Sequence, residues 1–272
     1  MSNWILQRGS QPFNGVVTTG SNGISIPVGA SGTYGAWTEI TNGAPLPYDV
    51  NGFYFAQGAG GTPYRMRFEF AVGVAGADDV VLDNYQLFIG NGAYSMDLIP
   101  LFLPAGRRVF VRASWNHTSA GSVDAFMIAQ GNSARAPRYP QKYVSFNLDE
   151  STNLPSTIVL AGTTINTKGA YGTIVPSAPF DASVMLLRFV ANVSNSGNAT
   201  TYLVDLATGG VGTEQILMSN IPMRGTGVAG GGGFPPRHFF VSIPRGTRIA
   251  ARGQSSSTLA TNREIGVIIH LG

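Results

Sequence analysis

The stretches "LPAGRRVFVR" (Leu103–Arg112) and "IPRGTRIAAR" (Ile243–Arg252) present one pattern twice in the same chain. In both, proline stands second, glycine fourth, and arginine sixth and tenth. Further blocks repeat in the same order along the chain. These are "EFAVGVAGADDVVLDN" (69–84) with "DLATGGVGTEQILMSN" (205–220), "GAW" at Gly35 with "GAY" at Gly169, and "MIAQG" ending at Gly131 with "IIHLG" ending at Gly272. Ordered matches at this spacing indicate a tandem duplication.

The duplication divides the chain into an N-terminal segment (1–19), a first domain (20–131), a linker (132–155) and a second domain (156–272). The linker "NSARAPRYPQKYVSFNLDESTNLP" is rich in proline and polar residues, with one short strand expected at "YVSFNL". Each repeat has the size of an ordinary domain.

Apolar and polar residues alternate in "RRVFVRASW", which predicts a half-buried strand. Val109, Val111, Ala113 and Trp115 fall on one face, and Arg108, Phe110, Arg112 and Ser114 fall on the other. Glycine, proline and asparagine recur at short intervals, and helical periodicity is lacking. We therefore predict an all-β fold of two tandem antiparallel β-sandwiches, either jelly-roll or immunoglobulin-like. The "IPRG" run predicts a type I turn with proline second and glycine fourth.

Charged residues make up only 11% of the 272 residues, and the net charge is +3. A nucleic-acid-binding protein would carry a denser basic stripe. Arg248 and Arg252 stand about 13 Å apart along a strand, so they cannot clamp one phosphate together. Candidates for inter-strand or inter-subunit ion pairs are Arg108, Arg112, Arg248 and Arg252. A surface so poor in charge suits an assembly better than a freely diffusing monomer.

Motifs for catalysis or cofactor binding are lacking, so we expect no enzyme activity and no cofactor. The chain has no cysteine, and His117, His238 and His270 are too dispersed for a two-histidine metal site. The run "GTGVAG" (225–230) matches G-x-G-x-x-G, but "GGGFPP" follows it and forbids the required helix. Neither a signal peptide nor a long apolar span is evident, so we expect a soluble chain made in the cytoplasm, without nucleic-acid or membrane partners.

Two weaker patterns each leave two interpretations open. Acidic residues at Asp78, Asp79 and Asp83, beside Asn84, could coordinate a cation, or they form a solvated loop between strands. Trp37 and Tyr54 could stack on host glycan, or they belong to the core.

The second repeat resembles virion structural proteins of tailed bacteriophages. The resemblance is carried by "FFVSIPRGTRIAARGQSSS" (239–257) and "GVGTEQILMSNI" (210–221). It implies a non-enzymatic β-sandwich component of the virion, in the tail fibre or baseplate or as a head-decoration protein. The implied partners are other virion proteins and further copies of the chain in a homo-oligomer, and the implied location is the virion. The alternative is a lectin-like module that binds host glycan as a receptor.

Overall fold

The computed structural model describes residues 10–13, 24–30, 32–41, 43, 45–46, 49–58, 64–74, 77–89, 94–117, 120–131, 139–149, 154–191, 200–224 and 237–272. Within these ranges the backbone forms strands and turns, with one short 3-10 helix at Ala260–Arg263 and no α-helix. The predicted all-β sandwich fold is confirmed. The chain divides into two compact units, unit 1 (Met1–Val144, with Gly272) and unit 2 (Ser145–Leu271). The "GTGVAG" run at 225–230 lies outside the described residues.

None of the helical structure found in these ranges is long and apolar enough to cross a membrane.

The described residues of unit 1 form nine strands in one sheet. They are β1 (Ser10–Phe13), β2 (Ile24–Gly29), β3 (Thr38–Glu39), β4 (Val50–Gly58), β5 (Tyr64–Val74), β6 (Ala77–Ile89), β7 (Tyr94–Leu103), β8 (Arg108–Trp115) and β9 (Gly121–Gly131). Their order is β6-β5-β8-β2-β9-β4-β7, with β1 beside β9 and β3 beside β8. Strands β2 and β8 pair in parallel at Val28–Ala113 and Gly29–Ser114 and so join two otherwise antiparallel sheets.

The remaining strands form separate sheets. They are β10 (Val144–Phe146), β11 (Leu148–Asp149), β12 (Leu154–Pro155), β13 (Ile158–Leu160), β14 (Gly172–Val175), β15 (Ala182–Ala191), β16 (Thr201–Thr208), β17 (Gln215–Arg224), β18 (Arg237–Ile243), β19 (Ile249–Ser255) and β20 (Glu264–Leu271). One sheet has the order β10-β20-β15-β18, with β13 beside β20, and the other has the order β14-β19-β16-β17. Strands β11 and β12 form a short hairpin on their own.

The two units share one strand order, as a duplication requires. The path β6-β5-β8 in unit 1 matches β17-β16-β19 in unit 2, and β2-β9-β4-β7 matches β13-β20-β15-β18. Special backbone positions match as well. Asn84 and its counterpart Asn220 both have positive φ, at 50° and 53°, and Gly106 and Gly246 have φ of 76° and 84°.

The turn before β19 lies one residue later than predicted. Thr247 N donates to Pro244 O, so proline is the first residue of the turn and Gly246 the third. The predicted type I turn is also wrong, because its third residue has a negative φ, whereas Gly246 has the positive φ that a type II turn requires and that glycine adopts without strain. Asp181 Oδ1 accepts a hydrogen bond from Arg245 N at 2.7 Å and fixes the turn.

The outer face of β8 is more buried than its alternating sequence predicts. Val109, Val111 and Ala113 are buried as expected, but Phe110 is only 7% exposed and Ser114 is fully buried. Arg67 Nη2 donates to Ser114 Oγ, so a side chain from β5 covers that end of the face. Ser114 therefore lies beneath the Arg67 side chain, while Arg108 and Arg112 on the same face remain about one third exposed.

Candidate functional site

Each of the four predicted interface arginines is paired with a carboxylate of its own unit. The ion pairs are Arg108–Glu39 at 2.9 Å, Arg112–Glu69 at 2.5 Å, Arg248–Glu214 at 3.3 Å and Arg252–Asp205 at 3.0 Å. Arg112 and Arg252 reach an acid on the neighbouring strand, because β8 pairs with β5 and β19 pairs with β16. These guanidinium groups are therefore engaged in structural contacts within the unit.

In unit 1 the arginines extend into a cluster with aromatic rings. The Arg112 guanidinium carbon lies 4.6 Å from the Trp37 ring centroid and 4.7 Å from that of Tyr34. Arg67, which is 1% exposed, lies 4.6 Å from the Tyr34 centroid and donates to Asn84 Oδ1 at 2.8 Å. Tyr34 Oη donates to the same Asn84 oxygen. The cluster ties Asn84, in the middle of β6, to Arg67 of β5 and to the loop residue Tyr34.

Unit 2 reproduces this cluster with different side chains. Arg252 lies over the Tyr171 ring at 4.6 Å, as Arg112 lies over Trp37. The second cation is Lys168, which donates to Asp205 Oδ1 at 2.8 Å and to Leu203 O at 3.0 Å. In the repeat alignment Lys168 replaces Tyr34, while Leu203 replaces Arg67. The second cation is therefore a strand residue, Arg67, in unit 1 and a loop residue, Lys168, in unit 2. Each cluster keeps two positive charges.

Two of the acids are held ionised by their donors. Burial raises the pKa of Asp205, but hydrogen bonds from Lys168, Asn220 N and Arg252 outweigh it and keep the pKa below its usual value. Burial likewise opposes ionisation of Glu39. Hydrogen bonds from Thr41, Arg108 and Gly43 N outweigh this effect and lower the pKa of Glu39.

Sequence reasoning missed Arg67, Glu69, Lys168 and Asp205 as members of these clusters. The signal for the acids was available, since Glu69 and Asp205 are aligned positions of the second repeated block. The signal for the cations was not, because Arg67 and Lys168 occupy non-equivalent positions in the two repeats.

The two proposed glycan contacts lie on different parts of unit 1. Trp37 is half-buried and packs on Arg112 of β8. Tyr54 is half-buried on β4, between Phe53 and Phe55, which are fully buried on the opposite face. A contact of either ring with glycan stays a prediction.

The acidic stretch from Asp78 to Asn84 is part of strand β6, so its description as a loop was wrong. Asn84 has a positive φ within this strand, and its side-chain oxygen accepts hydrogen bonds from Tyr34 and Arg67. Asp79 is 75% exposed and lies 3.8 Å from Lys142. Over the described ranges, no group of three or more His, Asp or Glu side chains could hold a metal ion.

His270 is a buried structural residue of unit 2. Its Nδ1 lies 2.5 Å from Ser145 Oγ, and the side chain is 1% exposed. Burial, with a smaller contribution from the charge of Arg188, lowers the pKa of His270 to about 3. The imidazole is therefore neutral at physiological pH.

Unit 2 also carries an open groove of about 580 Å³ at the ends of β17 and β18. It is lined by Leu217 of β17, by Ser242 and Ile243 of β18, and by Gly209 and Arg248 from adjacent turns. Arg248 donates to Gly209 O at 3.0 Å, so its positive charge is already engaged at the groove wall.

No protein-family model and no curated protein matches this chain. Similar solved structures include the N-terminal CBM22-1–CBM22-2 tandem domain of Paenibacillus barcinonensis Xyn10C, with 9% identity, a TM-score of 0.30, and coverage of 98% of this chain and 92% of that one. PNGF-II is 9% identical with a TM-score of 0.42, over 92% of this chain and 64% of that one. The PBSX exported protein XepA is 9% identical with a TM-score of 0.25, over 98% and 88%. At these TM-scores the similarities bear on neither function nor partners.

Proposed function

We propose that this chain is a non-enzymatic structural protein that assembles through protein–protein contacts, as a component of a tailed-bacteriophage virion. The placement in a virion is supported by the resemblance of residues 239–257 and 210–221 to virion proteins. Assembly through protein–protein contacts is supported by the exposed apolar side chains of unit 2.

The observation that carries the proposal is the exposure of large apolar side chains on unit 2. Val211 is 82% exposed, Phe240 is 63% exposed and Ile216 is 55% exposed. Phe240 lies on β18 and Ile216 on β17, the terminal strands of their two sheets among the described residues. Exposed apolar groups on edge strands favour association with another protein, because water solvates them poorly and strand edges accept further strands.

The arginine pairs argue against a nucleic-acid partner. Arg108, Arg112, Arg248 and Arg252 each already neutralise a carboxylate of their own unit. Protein cations bind a phosphate backbone by neutralising phosphates, which releases the counterions of the nucleic acid. A guanidinium that is already paired with a carboxylate contributes little to this release.

The direct test is mass spectrometry of purified virions from the host that carries the gene, combined with sedimentation equilibrium of the isolated chain. We expect a constant ratio of this chain to the major capsid protein in particles, and association of the isolated chain. A monomeric chain that is missing from particles would exclude the proposal.

A second candidate function, binding of host glycan, is favoured by the Trp37 ring. Arg112 and its partner Glu69 hold this half-buried indole in a fixed orientation, which suits stacking on a sugar. Binding to a glycan array should disappear in Trp37→Ala and persist in Tyr54→Ala, because only Trp37 belongs to the cluster. A blank array with the unmodified chain would eliminate this candidate.

A further inference from the structure

The two units differ in what lies between the terminal strands of their sheets. In unit 1 the closing segment (residues 139–143) runs from β7 to β6. Phe102 N of β7 donates to Pro140 O at 2.9 Å, and Tyr143 N donates to Val81 O of β6 at 2.8 Å. The segment therefore ties the two sheets of unit 1 together along this side.

Tyr143 is the anchor of the closing segment. Its side chain is 1% exposed, and its Oη donates to Pro100 O of β7 at 2.7 Å. Burial raises the pKa of this phenol well above its usual range, so it remains a neutral donor. An aromatic ring thus fills the space between β6 and β7.

The counterparts of the residues near the closing segment are less buried in unit 2. In unit 1, apolar side chains of β6 and β7 at this side are buried: Val81 at 5% exposure, and Leu82, Ile99 and Leu101 at 0%. Their aligned residues in unit 2 are only partly buried against the core: Leu217, Met218, Phe239 and Val241. Among the residues that the structure describes, the core of unit 2 is therefore incompletely covered at the place that the closing segment covers in unit 1.

The groove of unit 2 reaches this place through Leu217, one of the four partly buried side chains. Leu217 and Ser242 line it and are the aligned counterparts of Val81 and Phe102, whose backbone atoms bond to the closing segment. A volume of about 580 Å³ accommodates a short extended peptide with one large side chain. An extended segment in the groove would hydrogen-bond to the carbonyl of Leu217 and the amide of Ser242, which correspond to Val81 O and Phe102 N of unit 1.

The charges around the groove define its occupant further. In unit 1 the closing segment carries Lys142, which faces Asp79 at 3.8 Å. The aligned residue of Asp79 in unit 2 is Gln215, which offers no negative charge. Arg248 and Glu214 neutralise each other beside the groove. The groove thus favours an uncharged segment over a basic or acidic one.

We propose that the groove between β17 and β18 binds an extended, uncharged segment of a neighbouring protein subunit, with an aromatic side chain in the place that Tyr143 takes in unit 1. The inference rests on the proposed function, since it names the part of a partner that the assembling surface recognises. The segment covers the partly buried apolar side chains and adds backbone hydrogen bonds at the sheet edges.

The binding test uses the full chain and a labelled peptide, YPQKYV, that carries residues 139–144, at a chain concentration where the protein is dispersed. Fluorescence anisotropy should show saturable binding. The same peptide with Tyr143→Ala should bind about tenfold more weakly or worse, because a buried aromatic anchor dominates such contacts. A peptide with Lys142→Gln should bind at least as tightly as the original, because Gln215 has replaced the acid.

Variants of the full chain locate the binding. Leu217→Arg places a charge in the groove, and Ser242→Pro removes a backbone donor on an edge strand that tolerates proline. Thermal unfolding shows whether each variant folds. Folded variants should bind the peptide about tenfold more weakly or worse. Leu259→Arg changes a 57% exposed side chain that does not line the groove, and it should bind as the unmodified chain does.

Equal binding by the unmodified chain and by a folded groove variant would overturn the inference, as would no binding at all. If the chain still associates and is found in virions in that case, the inference fails and the proposed function stands. If the chain is monomeric and missing from virions, the proposed function itself fails, irrespective of peptide binding.

Discussion

At the scale of single residues, Asp205 connects three separate parts of unit 2 through hydrogen bonds, which the sequence motifs did not indicate. One oxygen accepts from Lys168 and Asn220 N, and the other accepts from Arg252. Asp205 is 3% exposed, so its neutralisation leaves the charges of Lys168 and Arg252 without a counter-charge. A charge in this position stabilises the fold only as long as all of its donors are present.

Asp205→Asn should lower the free energy of unfolding by about 3 kcal/mol at neutral pH, because a buried carboxylate with charged donors is lost. Because the folded-state pKa of Asp205 is lowered, its contribution is present above the ordinary value of 3.8 and is lost as the pH falls through the folded-state pKa. Urea unfolding at pH 7 and pH 3 measures both effects. The matched control is Asp79→Asn at a 75% exposed position, which should change the stability by less than about 0.5 kcal/mol. Equal losses in the two variants would contradict the assignment.

His270 predicts a second pH dependence with the same direction. Its folded-state pKa of about 3 lies below the ordinary value of 6.5, so stability is full above 6.5 and declines as the pH falls toward 3. The slope contributed by this one group approaches about 1.4 kcal/mol per pH unit in that window. His270→Leu should flatten the profile of unfolding free energy between pH 4 and pH 6. An unchanged slope would show that the imidazole titrates normally in the folded chain.

At the scale of elements, the repeated decapeptide is a turn followed by a central strand. Gly106 and Gly246 have φ of 76° and 84°, and open space surrounds the position of an added Cβ at both. Backbone conformation alone therefore requires glycine here. Gly106→Ala and Gly246→Ala should each cost about 1 kcal/mol in unfolding free energy, because alanine is strained at positive φ. Asparagine at either position should lower the unfolding free energy by less than alanine does. Chemical denaturation that finds the opposite order would show that these two positions do not have a left-handed backbone.

Strands and the presence of turns could be predicted from the repeat itself, because proline, glycine and alternating apolar residues act locally, but the position of the turn before β19 could not. The buried outer face of β8 could not be predicted either, since Ser114 is covered by Arg67, which is distant in sequence. The Asp78–Asn84 stretch was misjudged because aspartate and asparagine are frequent in turns, whereas here they lie on strand β6. Cross-strand pairs such as Arg252–Asp205 depend on register, which composition does not encode.

At the scale of the whole molecule, duplication produced two sandwiches with one strand order and different surroundings at their terminal strands. Tyr143, the anchor of the closing segment, should stabilise unit 1 mainly through the aromatic ring that it buries. Tyr143→Phe removes the hydrogen bond to Pro100 O and should cost about 1 kcal/mol, and Tyr143→Ala should cost about 3–5 kcal/mol through the cavity it leaves. Chemical denaturation that finds equal losses for the two variants would show that the ring itself contributes nothing.

In the proposed assembly, the chain associates through the β17 and β18 side of unit 2. Hydrogen exchange measured on the dispersed chain and on its assembled form tests this most directly. We predict that amides of β17 and β18 become protected on assembly, while those of β6 and β7, already next to the closing segment, change little. Protection that rises only outside β17 and β18, or does not rise in any part of the chain, would contradict the account.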